Sequence, residues 1–176
     1  MKIDIFNTDK KYQIIYADPP WPMKLISRHV RPKQLDMPYK VMDLASIKLL
    51  PVWNLIDSAG CHLFLWTTHT YLPHAFKVMD MWGFDYHCCL TWDKTYGFTP
   101  FSFMWSTEFC LYGQVKDKWI KPARIGLKTL ITEKPTKHSA KPIAMYELIE
   151  QYSTGNKLEL FSRNHRENWD CWGNEC

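Results

Sequence analysis

Apolar residues in this chain fall into short, dense runs at 13–17, 61–67, 87–92, 108–113 and 157–162. Runs of this length predict strands largely buried on both faces. Between them the spacing changes to helical. Asp43 predicts an N-cap for a short helix through Leu50, Pro51 interrupts it, and a further turn reaches about Asp57. Over 71–82 the period brings Leu72, Ala75, Phe76, Met79 and Trp82 onto one face, with Gly83 as a stop. Pro142 opens a third helix with Ile143, Tyr146, Leu148, Ile149 and Tyr152 on its apolar side and Gly155 at its end. Strands alternating with helices predict an α/β sheet covered on both faces, which binds ligands beyond the carboxyl ends of its strands.

Composition narrows the choice. A chain of 176 residues predicts one domain, 1–176, too short for a catalytic domain plus a separate recognition domain. With 46% hydrophobic and 15% aromatic residues it is no disordered chain. No apolar stretch is long enough to cross a bilayer, and Met1-Lys2-Ile3-Asp4 is no secretory signal, so the expected location is cytoplasmic, away from membranes. The six cysteines form no C-x-x-C pair and the seven histidines show no ligand spacing, so buried free thiols and no metal are expected. The net charge of +4 is unevenly spread. Loops at about 22–40 and 114–138 hold Lys24, Arg28, Arg31, Lys33, Lys40, Lys116, Lys118, Lys121, Arg124, Lys128, Lys134 and Lys137, a distribution suited to a polyanion.

The sharpest chemical feature is Asp18-Pro19-Pro20-Trp21, directly behind the run Gln13-Ile14-Ile15-Tyr16-Ala17. An exocyclic amine on a nucleobase is a poor nucleophile because its lone pair is delocalised into the ring. Two acceptors on its N–H bonds draw the nitrogen toward tetrahedral geometry, and the Asp18 carboxylate and Pro19 carbonyl supply them. Two successive prolines preset the backbone that carries these oxygens. Trp21 is expected to stack on the base. Asp-Pro-Pro is also an ordinary strand-ending turn. The last third of the chain adds Lys141 at a helix start, Glu159 in a strand, then Arg163-Asn164-His165 and Gly173-Asn174-Glu175: cations, acceptors and amides of the kinds an amino acid joined to a nucleoside requires. The helix start itself is expected to attract a carboxylate.

With these residues in place, the chain resembles the MT-A70 family of S-adenosylmethionine-dependent adenine-N6 methyltransferases, particularly small bacterial and phage members. The likeness runs from Tyr16-Ala17-Asp18-Pro19-Pro20-Trp21 through Leu63-Phe64-Leu65-Trp66-Thr67, Trp82-Gly83-Phe84 and Thr91-Trp92-Asp93-Lys94. It continues through Glu108-Phe109-Cys110-Leu111-Tyr112-Gly113, His138-Ser139-Ala140-Lys141-Pro142 and Leu158-Glu159-Leu160-Phe161-Ser162-Arg163 to Trp169-Asp170-Cys171-Trp172-Gly173-Asn174-Glu175. Ser162 and Asn164 depart from it, standing where many relatives have glycine and proline.

The resemblance implies a Rossmann-like methyltransferase sheet with helices on both faces and a circularly permuted motif order, catalytic motif first and cofactor strand last. It implies catalytic roles for Asp18, Pro19, Pro20 and Trp21, and S-adenosylmethionine contacts from Tyr16, Ala17, Asp18, Lys141, Glu159, Arg163, His165 and Asn174. Trp21, Lys24, Arg28, Trp92 and Lys94 are expected to meet the substrate, with Tyr96, Phe98, Phe101, Phe103 and Trp105 as further stacking surfaces around the entry. The activity implied is methyl transfer to N6 of adenine in nucleic acid, DNA favoured over RNA, by a chain acting alone, as a homodimer or with a partner subunit. A catalytically silent nucleic-acid-binding subunit, and an enzyme acting on another planar amine or amide, are the alternatives.

Overall fold

The computed structural model describes residues 1–22, 41–98, 103–136, 140–174 and 176. Lys24 and Arg28, with most of the first basic segment and Phe101, lie outside the described residues. Strands β1 (Ile14–Ala17), β2 (His62–Thr67), β3 (Phe84–Phe98), β4 (Trp105–Val115), β5 (Leu130–Thr132), β6 (Lys157–Leu160) and β7 (Asp170–Trp172) join in one sheet, ordered β5-β3-β4-β2-β1-β6-β7. β1 lies beside the central strand β2, parallel to β2 on one side and to β6 on the other. The helices are α1 (Leu44–Lys48), α2 (Leu72–Met81) and α3 (Ile143–Tyr152), with a 3-10 turn at Val52–Leu55.

Strand periodicity divides the core into two. Ile15 and Ala17 of β1 and Leu63 and Leu65 of β2 join Ile47 of α1 and Ala75, Val78 and Met79 of α2 on one face. Ile14, Tyr16, Phe64 and Trp66 join Met145 and Ile149 of α3 on the other. Both faces of the sheet centre are therefore covered, which is why these runs are apolar without alternation. This is the expected Rossmann-like architecture, with the strand bearing Asp18 directly beside the strand bearing Glu159 (Tyr16 opposite Glu159).

Local chemistry sets the helix limits. Asp43 caps α1, its carboxylate accepting from the Ser46 N–H at 2.9 Å. Gly83 follows α2 with φ 88°, a conformation natural to glycine. Some expected positions differ. Phe76 is 40% exposed and packs edge-on against Tyr86, while Val78 takes the core position. On α3, Ile143 faces outward and Met145 is buried. α3 ends at Tyr152 rather than at Gly155, which instead lies against Gln13, where a Cβ would fall 2.2 Å from Gln13 Oε1.

The expected loop at 96–105 is in part a hairpin, since β3 runs to Phe98 and pairs there with Trp105. The second basic segment is also not all loop. It contains β5, parallel to β3, and its earlier part is tied down at the opposite edge of the sheet from Asp18. There Gln114 Oε1 takes the Ile120 N–H at 2.8 Å, Lys116 pairs with Asp80 at 2.7 Å, and Arg124 bonds Gln151 near the end of α3. Lys116, Lys118, Lys121 and Arg124 consequently do not line the edge that carries the Asp-Pro-Pro-Trp motif.

Candidate active site

The parallel strands β1, β2, β6 and β7 bring Asp18, Thr68, Phe161 and Gly173, the residues just beyond them, to one edge of the sheet. β4 returns antiparallel to β2, so its amino end arrives at the same edge and delivers Glu108 there. β3 ends there too, with Asp93 opposite Thr107, and supplies Lys94. Four charged side chains from distant parts of the chain meet. Lys141 Nζ lies 3.1 Å from Asp18 Oδ1 and 2.9 Å from Glu108 Oε2, and Lys94 Nζ lies 3.2 Å from Glu108 Oε1. All four side chains are mostly shielded from solvent, and the Lys141 ammonium also stands 5.1 Å from the Trp66 ring centroid.

Glu133 secures the start of the helix that follows Lys141. The Glu133 carboxylate accepts the Ile143 and Ala144 N–H groups at 3.1 and 3.2 Å, capping α3 from outside the helix because Pro142 has no capping side chain. The Glu133 carbonyl in turn takes the Trp92 indole N–H at 2.7 Å. This corrects two expectations. The N–H groups at the start of α3 are already bonded and do not wait for a ligand carboxylate. Trp92, only 2% exposed, is a core residue holding this cap, so its face is closed to a base. Glu108 and Glu133 were missed as site residues because Glu108 counts only once β4 is seen to run antiparallel, and Glu133 only once β5 is seen to lead to α3.

The tetrapeptide is tightly held. The Trp21 N–H donates to the Pro19 carbonyl at 2.8 Å, and the Met42 N–H to the Pro20 carbonyl at 2.9 Å. Trp21 is buried, donates its indole N–H to the Trp66 carbonyl at 3.2 Å, and stacks on Tyr71 with centroids 5.5 Å apart and planes 12° from parallel. Its indole anchors the motif, and the expected open plate for a base is not what this packing presents. One of the two acceptor positions on the Pro19 oxygen is used internally, leaving the other for a ligand.

Burial sets the charge states. Burial, reinforced by Glu108, raises the pKa of Asp18, while Lys141 and Arg163 oppose the rise. The neighbouring lysines hold Glu108 below the ordinary range in spite of its own burial. Lys141 is shifted upward by its two carboxylates and stays charged although buried. On β6, burial pushes Glu159 up to about 7, with one oxygen accepting from the Tyr146 hydroxyl at 3.0 Å. Arg166 lies over the Tyr146 ring at 3.7 Å.

Tyr16, Ala17, Asp18, Lys141, Glu159 and Arg163 thus gather at the carboxyl ends of β1 and β6. Lys94 joins them through Glu108, whereas His165 and Asn174 are exposed on the segments after β6 and β7. Gly173 permits the close approach of those two segments, since a Cβ there would fall 2.3 Å from the Ser162 carbonyl. The donor set suits an amino acid joined to a nucleoside: cations at Lys141 and Arg163, a carboxylate at Glu159 for hydroxyls, and buried polar atoms without partners at Tyr16 Oη and Trp66 Nε1.

Known proteins carry the same pattern. Over 94% of its length the chain is 29% identical to the type II methyltransferase M.MunI of Mycoplasma sp, and spans 78% of that protein. It is 28% identical over 97% of its length to the human N(6)-adenine-specific methyltransferase METTL4, and 27% identical over 94% to the human N(6)-adenosine-methyltransferase catalytic subunit METTL3. It spans 39% and 28% of those two longer proteins. The MT-A70 family model matches residues 12–175, nearly the whole of the chain, and the chain belongs to the MT-A70 family.

Proposed function

We propose that this MT-A70 protein, an adenine-N6 methyltransferase, acts on DNA with S-adenosylmethionine as donor, at the carboxyl ends of β1 and β6. The observation that carries the reading is that Asp18, held by Lys141 which also holds Glu108, follows the strand directly beside and parallel to the one bearing Glu159. DNA is preferred because M.MunI, the relative that the chain spans to 78%, is a type II methyltransferase.

When bound, the donor supplies an electrophilic methyl group on a positively charged sulfur. Glu159 would accept from its ribose hydroxyls, Lys141 and Arg163 would attract its carboxylate, and Asn174 and His165 would offer further polar contacts. The protein's part in the reaction falls to Asp18 and the Pro19 carbonyl, which accept from the two N–H bonds of the adenine amine. As positive charge grows on the amine nitrogen during methylation, these contacts would strengthen. The acceptors need no reorganisation, since the prolines and the Trp21 anchor already fix them. The amine then loses one proton, and Asp18, whose affinity for protons burial has raised, is placed to receive it. Lys141 keeps Asp18 ionised until that point. A base inside a duplex cannot reach this site, so it is flipped out or presented by a single strand.

No helix among the described residues is long and apolar enough to cross a membrane, and the site proposed is that of a cytoplasmic enzyme. The test is transfer of labelled methyl groups to duplex DNA, single-stranded DNA and RNA, followed by digestion to nucleosides. N6-methyldeoxyadenosine is expected. Label in RNA alone would overturn the choice of polymer, and tight donor binding with no transfer to any of the three would favour a silent subunit.

A further inference from the structure

Asp18 and the Pro19 carbonyl are aimed by a loop of only four residues, and one side chain from another element grips that loop at two points. We propose that Tyr71 is a positioning residue for methyl transfer, locking Trp21 and Pro22 so that the two acceptors upstream keep their orientation. This rests on the function proposed above.

Tyr71 is well suited to be the fixed partner. It stands at the N-cap position of α2, its own N–H bonds the Thr68 carbonyl at 3.1 Å, and its carbonyl takes the N–H groups of His74 and Ala75 at 2.9 Å each. Its backbone is therefore held from both directions, and its ring is only 9% exposed. The ring face lies on Trp21, centroids 5.5 Å apart and 12° from parallel, and the hydroxyl donates to the Pro22 carbonyl.

The line of action runs backward along the loop. Trp21 donates its backbone N–H to the Pro19 oxygen at 2.8 Å, so a turn of the Trp21 peptide turns the carbonyl that is to receive the amine. The indole bond to the Trp66 carbonyl, at 3.2 Å, restrains the ring edge but not rotation about that edge. Stacking on Tyr71 supplies the missing restraint, and the hydroxyl secures the next residue. Misplacement of a reacting geometry by about 1 Å costs on the order of 100-fold in rate. A loosened tetrapeptide should therefore lower turnover without touching the donor's own contacts on β6.

Two variants separate the elements of the grip. Tyr71→Phe keeps the ring and removes the bond to Pro22; Tyr71→Leu removes both. Hydrogen exchange of the segment 14–22 is read by mass spectrometry, which needs no turnover, alongside kcat, donor affinity and urea midpoint. Faster exchange at 18–22 is expected in both variants, with kcat down about 10-fold in Tyr71→Phe and about 100-fold in Tyr71→Leu, and donor affinity within about threefold of the parent. A merely structural tyrosine would move the urea midpoint and donor affinity together and leave kcat of the folded fraction alone. Parental exchange at 18–22 in Tyr71→Phe, or a parental kcat in both variants, overturns the proposal. A parent protein that exchanges slowly there but methylates nothing would overturn the function and leave the grip of Tyr71 on the loop standing.

Discussion

Replacing Lys141 by methionine, which matches its stem but carries no charge, tests the electrostatic design of the site. The ammonium sits 3.1 Å from Asp18 and 2.9 Å from Glu108, and its side chain is 11% exposed. At an effective dielectric constant near 20 these contacts are worth about 5 and 6 kcal/mol of gross attraction. Desolvating the three charged groups offsets much of that, but the offset is not symmetric on mutation: the lysine leaves and the two carboxylates remain shielded. Removing one partner of a buried ion pair costs about 3–5 kcal/mol, and that is the expected loss of stability at pH 8. The pH dependence is the sharper measure. Lys141 favours ionised Asp18 and is a main cause of the lowered pKa of Glu108, so without it both carboxyls take up protons more readily. Protonation removes the unpaired charges, and the penalty must shrink as pH falls. Urea unfolding of parent and variant at pH 8, 6 and 4.5 should show a difference that narrows steadily toward the acid end. A difference that stays constant with pH, or is below about 1 kcal/mol at pH 8, would refute the reasoning.

Asp18→Asn should lower kcat by about 100- to 1,000-fold while donor binding by calorimetry persists, since Lys141 retains Glu108 and the amide still fills the space. Stability should hold or rise, because the charge removed is one that burial disfavours. Glu159→Gln tests the carboxyl that burial raises to about 7. The raised value means that its contribution is present below its unfolded pKa of about 4.5 and is lost as pH rises through 7, so parent and variant should diverge between pH 4.5 and 7. The variant becomes the more stable by at most about 3 kcal/mol at pH 8, and parallel stability curves would contradict this. Glu133→Ala removes the cap of α3 and should cost about 1 kcal/mol in urea. It should also lower activity more than stability, because the cap places Lys141. A variant with full activity would show that Lys141 is placed without it.

How much of this could be read from the residues depends on how local each signal is. The central strands were legible because burial on both faces leaves no polar alternation, and Asp43 and Gly83 because capping is decided within a few residues. β5 and β7 were not, since three residues at the sheet margin carry too little pattern against a lysine-rich or turn-rich background. Phe76 and Ile143 misled because helical spacing gives the face and not its centre. In the site, Asp18, Lys141 and Glu159 stood out by type and neighbourhood. Glu108 and Glu133 gain their roles from strand direction and from a helix cap supplied across a loop, neither of which spacing records. An indole in a candidate site reads from sequence as a stacking plate, whereas the N–H groups of Trp21 and Trp92 are spent on the Trp66 and Glu133 carbonyls inside the core.

The antiparallel return of β4 has a consequence for substrate approach. It places Glu108 and, through β3, Lys94 at the edge that carries Asp18, and leaves Tyr96, Phe103 and Met104 of the β3–β4 hairpin exposed at 56%, 79% and 61%. The same return carries Lys116, Lys118, Lys121 and Arg124 to the far edge. Among the described residues, Lys94 and Lys141 at this edge have their charge partly committed to Asp18 and Glu108, beside this apolar arm. The residues after β5 leave from this edge, so sequence preference is best sought by exchanging them, together with the basic segment 22–40, between relatives while Asp18, Lys141 and Glu108 are kept.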